Sequence, residues 1–129
     1  MERILSVVRV FACLTVVGLT LQGCNSAHTK AAANLTGGNP SAGKEKIEYY
    51  GCAACHEIPG VDIAQGRVGP SLQHIASRSY LAGKLPNSPQ NMASWIQKPQ
   101  DFLPHTAMPN MGISEADARD ITAYLYSLR

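Results

Sequence analysis

Cys52, Cys55 and His56 are the residues of this chain with the most chemistry to offer. Two thiols stand three positions apart, and an imidazole follows the second directly. A zinc site would want four ligands, usually from two paired clusters. Here there is one pair, and His28, His74 and His105 are scattered along the chain. A thioredoxin-type redox pair would want a βαβ context, which the sequence lacks. A plain Cys52–Cys55 disulfide fits an oxidising compartment, but it gives the trailing histidine no role.

The pattern Cys52-Ala53-Ala54-Cys55-His56 is the attachment signature of haem c. Two thiols at this spacing can add to the two vinyl groups of one haem. The adjacent histidine then lies under the iron and can offer it an imidazole nitrogen. The other face of the iron needs a ligand or stays open, and Met108, Met111, His74 and His105 are the candidates. A lone methionine is more often core filler than ligand. These two sit in a proline-rich loop away from any helix stripe, which favours ligation. Pro109 restricts Met108 to extended backbone angles, from which it can reach inward across a haem face. Met111 comes three residues before a helix cap at Ser114 and is expected to pack against the helix start. Met108 is therefore the expected ligand and Met111 the alternative. His74 and His105 are expected on the surface or in loops.

Three helices can hold these residues. The first starts near Ser41, with Gly43, Ile47 and Tyr50 on one face, and stops at Gly51. The second opens on Ser88-Pro89, an N-cap and N1 pair, carries Met92, Trp95 and Ile96, and stops at Pro99. The third is capped by Ser114, with Glu115, Asp117 and Asp120 near its positive end and Arg129 at its negative end. Ala118, Ile121, Leu125 and Leu128 form its apolar stripe. A shorter helical stretch is expected around Ser71 to Ser79, and no strand pattern of useful length appears. The expected domain, residues 41–129, is small, all-α and loop-rich. A domain of about 90 residues usually needs a metal, a disulfide or a cofactor to complete its core.

The N-terminal part differs. Arg3 and Arg9 precede an apolar run from Val10 to Leu21, which reads as a signal peptide over residues 1–23. Extending the run back to Ile4 reaches spanning length but takes in Arg9, so an uncleaved anchor helix is the competing reading. Leu21-Gln22-Gly23-Cys24 resembles a bacterial lipobox, with Gln22 an uncommon residue there, so Cys24 is expected to be lipidated. Cys13 is filler in the apolar run. Residues 24–40 are rich in Ala, Asn, Ser, Thr and Gly and read as a flexible tether of about 20–25 Å. The chain of 129 residues carries a net +2. Losing Arg3, Arg9 and Glu2 leaves nine basic and eight acidic residues, which excludes a strongly basic nucleic-acid binder.

From about Gly43 to Leu128 the chain resembles a class I (mitochondrial-type) cytochrome c. The order of features carries the likeness: helix, Cys-x-x-Cys-His, Gly69-Pro70-Ser71-Leu72, a middle helix, a methionine loop, and a last helix ending Ala-Tyr-Leu. The resemblance implies three to five helices and loops wrapped around one covalently attached haem c. It places the axial methionine at Met108. It implies that the Pro70 carbonyl accepts the free N–H of His56, fixing the ring and raising its basicity. Leu72 would pack on the haem face, and Trp95 beside the haem on the methionine side. Gly43, Ile121 and Tyr124 match the family's crossing of first and last helices, with Ile47 where an aromatic is usual. The stretch from Arg78 to Met108 also resembles cytochrome c domains associated with haem–copper oxidases.

The resemblance implies a monomeric, non-enzymatic carrier of single electrons, and the signal peptide and lipobox place it, lipid-anchored, on the periplasmic side of a bacterial membrane. Its donor would be a quinol-oxidising complex or a dehydrogenase, and its acceptor a terminal oxidase or reductase. A dedicated subunit through which electrons enter an oxidase or dehydrogenase complex is the alternative. An open-iron, ligand-binding or peroxidatic haem protein is a third reading, but no distal Arg/His pair can be placed for it. Lys84 and Lys98 are the only lysines after the Cys-x-x-Cys-His motif, so a docking ring of lysines is not expected.

Overall fold

The computed structural model describes residues 23–62 and 66–128. Residues 1–22 of the expected signal peptide, the side chain of Cys24 and Arg129 lie outside what is described. Five helices appear among the described residues: α1 (Gly23–Thr36), α2 (Pro40–Tyr49), α3 (Pro89–Gln97), α4 (Pro99–Phe102) and α5 (Glu115–Ser127). Single 3-10 turns at Cys52–Ala54 and Ile75–Ser77, and a two-rung hairpin, complete the regular structure. This is the small all-α architecture expected. No described helix is long and apolar enough to cross a membrane.

Helices α2, α3 and α5 form where caps and apolar spacing put them. Asn39 Oδ1 accepts from the N–H groups of Ser41 and Ala42 at 3.0 and 3.3 Å, and Pro40 occupies the first turn of α2. Ser88 Oγ accepts from Asn91 N–H at 3.2 Å ahead of α3. Ser114 Oγ accepts from Asp117 N–H at 3.1 Å ahead of α5. Each cap satisfies backbone donors that a helix start leaves open.

The stretch read as a flexible tether is helical from residue 23 to residue 36 and packs against α5. Its alanines favour helix, and their small side chains let it lie close to its neighbour. Ala32 is buried at 4 % exposure, whereas Leu35, its one large aliphatic residue, is 59 % exposed. The small residues that suit a flexible tether equally suit this close packing.

The helix expected at Ser71–Ser79 shrinks to one 3-10 turn. His74 on one side of it has φ +54°, and Arg78 on the other is extended. Beyond it, Tyr80–Leu81 pairs antiparallel with Leu85–Pro86, a ladder too short to show as alternation. Ala82 and Gly83 turn the hairpin, both with positive φ.

The core lies where α2 crosses α5. A Cβ on Gly43 would collide with the Asp120 carbonyl, so only glycine allows this approach. Ile47, Ile121, Ala118 and Leu125 close the crossing, all buried. Burying each Ile or Leu here contributes about 1.5–3 kcal/mol. Met92 and Ile96 of α3 join the same cluster, as do Ile58 and Val61 from the loop after the cysteine motif. The core thus reaches from the helix crossing to the motif.

Candidate haem-attachment site

Gly51, in the left-handed region at φ +69°, ends the α2 region and turns the chain into the 3-10 turn Cys52–Ala54. The Cys52 carbonyl accepts from the N–H groups of both Cys55 and His56, at 3.2 and 3.0 Å. The three reactive residues are thereby wound into one tight turn, over a buried Ala53.

The loop that follows folds back along this turn. Gly66 N–H donates to Ala53 O at 3.2 Å, Gly69 N–H to Cys55 O at 2.8 Å, and Leu72 N–H to Glu57 O at 2.8 Å. These bonds bring Pro70 beside His56, and His56 Nδ1–H donates to the Pro70 carbonyl at 2.8 Å. With Nδ1 carrying the hydrogen, Nε2 keeps the lone pair for a metal. The approach is close: a Cβ on Gly69 would lie 2.6 Å from Nδ1 of the ring.

Both thiols are free and half-buried. Burial pushes the Cys52 thiol up from its ordinary value. A catalytic redox cysteine has the opposite environment, one that favours the anion. No group of three or more His, Cys, Asp or Glu residues that could hold a metal occurs among the described residues, which leaves the zinc alternative without ligands there.

The other candidate residues fall apart from this turn. Met108 is half-buried in the loop between α4 and α5. Gln100 Nε2 donates to its carbonyl at 2.9 Å and to the Thr106 carbonyl at 2.8 Å. Met111 is 43 % exposed and does not pack into the helix start as expected; the next residue, Gly112, turns the chain at φ +68°. His74 and His105 are exposed, as expected. Leu72 is half-buried against the core, and Trp95 is half-buried next to the buried Ile96.

Three supporting residues carry no motif signal. Gln100 braces the methionine loop. Arg78 Nη2 donates to the Ser71 carbonyl at 2.5 Å, within Gly-Pro-x-Leu. Asn87 Nδ2 donates to the carbonyls of Ile75 and Arg78, both at 2.8 Å, while its Oδ1 accepts from Tyr126 OH at 2.9 Å. Tyr124 OH, from the same helix as Tyr126, donates to Pro59 O at 2.6 Å. The last helix therefore clamps two of the loops that follow the histidine.

A tight turn of two free thiols, and an imidazole with Nδ1 engaged and Nε2 spare, suits the covalent attachment of one porphyrin and the ligation of its iron. The sequence model of the Cytochrome c family matches residues 40–129, and the chain belongs to that family. Family membership implies covalently bound haem c and electron transfer. The chain is also similar to cytochrome c oxidase subunit 2 of Alkalihalophilus pseudofirmus, 33% identical over 88 residues. The match covers 67% of this chain and 25% of that protein. The subunit of the same description from Bacillus sp. strain PS3 is 29% identical over 89 residues, again 66% of this chain against 25% of the relative. The chain thus spans about a quarter of the length of these relatives.

Proposed function

We propose that the protein is a mono-haem c-type cytochrome that carries single electrons between membrane-associated respiratory complexes outside the cytoplasm. The observation that carries this reading is the 2.8 Å bond from His56 Nδ1 to Pro70, one residue from a free Cys55. Cys52 and Cys55 would form the thioethers, His56 and Met108 would be the axial ligands, and Pro70, Leu72 and Trp95 would shape the pocket. Bound haem supplies a one-electron couple between ferric and ferrous iron. The chain's own residues would hold the ligand set in place and shield it from water. Histidine–methionine ligation places the couple above that of bis-histidine sites. The donor would be a quinol-oxidising complex or a dehydrogenase, the acceptor a terminal oxidase or reductase. A lipid on Cys24 would anchor the domain to the periplasmic side of a bacterial membrane.

The reduced and oxidised visible spectra of the purified protein test this. A haem c spectrum, haem that stays with the denatured chain, and a weak far-red ferric band are expected. Haem that extracts into acidified organic solvent would refute covalent attachment. Protein found wholly in the soluble periplasmic fraction would refute the lipid anchor.

The similarity to oxidase subunit 2 favours a second reading, a dedicated subunit through which electrons enter an oxidase. Stoichiometric co-purification with an oxidase in mild detergent would select it over a free carrier.

A further inference from the structure

Gln100 spends its whole side-chain amide on one loop. Nε2 donates to the Thr106 carbonyl at 2.8 Å and to the Met108 carbonyl at 2.9 Å, and Oε1 accepts from His105 N–H at 3.1 Å. The platform under it is firm. Pro99 is buried, Leu103 N–H donates to Pro99 O at 3.0 Å, and the Gln100 N–H itself reaches Asn110 Oδ1 at 3.4 Å.

We infer that Gln100 is the positioning residue that aims Met108 at the haem iron. The inference rests on the proposed ligation by Met108. Pro109 limits Met108 to extended angles and offers no N–H to the surroundings. The plane of the peptide after Met108 must then be set through its carbonyl, and Gln100 holds that carbonyl. The same Nε2 holds the peptide after Thr106, so both peptide groups flanking residues 107 and 108 are pinned from one atom. At the start of the loop, His105 has φ +67°, a conformation side chains rarely adopt, and Oε1 holds its N–H there. Three bonds from one side-chain amide thus set the backbone that carries Met108. Without it, the loop populates arrangements with the sulfur withdrawn, and an external ligand competes better in proportion to that population.

The test uses haem-loaded ferric protein, with imidazole as the competing ligand. Gln100→Leu removes all three bonds. Gln100→Glu removes the two donors and keeps an oxygen for His105 N–H. Both should weaken the far-red band and tighten imidazole binding about tenfold, which corresponds to about 1.4 kcal/mol of lost hydrogen bonding. In a Met108→Ala background, Gln100→Glu should change imidazole affinity by less than about twofold. A purely structural role would lower the unfolding temperature equally in both backgrounds and move imidazole binding in both. Affinities within about twofold of wild type in both single variants, or an equal change in the Met108→Ala background, would overturn the inference. A wild type with no far-red band would remove the Met108 reading and this inference together. A wild-type band with silent variants would remove the inference alone.

Discussion

The Tyr50 hydroxyl, just past the end of α2, donates to Asp117 Oδ2 at 2.8 Å in the first turn of α5. Lys46 Nζ stands 3.1 Å from the other carboxylate oxygen. The Tyr50 bond first, and the Lys46 bond second, hold the Asp117 carboxyl below its ordinary value of 3.8. A depressed carboxylate stabilises the fold above its unfolded pKa, and that contribution fades as pH falls through the folded value. Unfolding temperature should therefore drop below about pH 4 in the wild type, and Asp117→Asn should flatten this acid slope. Parallel slopes in the two proteins would show that the pair does not contribute.

Gly69 faces the ring of His56 so closely that a methyl group would fall 2.6 Å from Nδ1. Gly69→Ala should push the ring off the Pro70 carbonyl and destabilise the loaded protein by about 1–3 kcal/mol, the range of core overpacking. Chemical denaturation of the haem-loaded variant checks the magnitude. A change under about 0.5 kcal/mol would mean that the loop yields freely.

Met108→Ala should abolish the far-red ferric band and lower the reduction potential. Met111, at 43 % exposure, is left as a surface residue. Met111→Ala should keep the band and change stability by no more than about 0.5 kcal/mol. Loss of the band in Met111→Ala alone would reverse the assignment, and loss in neither would direct attention to His74 or His105.

Ala32 sits at 4 % exposure on the face that α1 presents to the rest of the domain. Ala32→Leu should overpack this contact and cost about 1–3 kcal/mol. Leu35→Ala, three residues on and 59 % exposed, should be nearly neutral. Equal unfolding midpoints for Ala32→Leu and wild type would show that α1 contributes nothing to the fold.

What the sequence made legible was local in origin. Ser88-Pro89 and Ser114 announce their helices within a few residues, and Ile47, Ile121 and Leu125 recur at helical spacing. The Pro70–His56 bond was expected only because Gly-Pro-x-Leu follows Cys-x-x-Cys-His in a known order. Helix α1 was missed because close packing by alanine and disorder both select small residues. Gln100 was missed because glutamine on a four-residue helix has no pattern, and its worth appears only when residues 105–108 fold over it. The hairpin at Tyr80–Pro86 has two rungs, fewer than a period-two pattern needs.

Helix α1 changes how encounters would happen. Fourteen residues of helix rise about 21 Å, and this length is fastened along α5 instead of trailing in water. For a domain attached at Cys24, as proposed, this helix would hold the anchor point close to the folded domain. Meetings with neighbouring membrane complexes would then be collisions of closely anchored bodies moving in a plane. Part of the search that a free protein performs would be completed in advance, and a partner standing too far above the membrane would be out of reach.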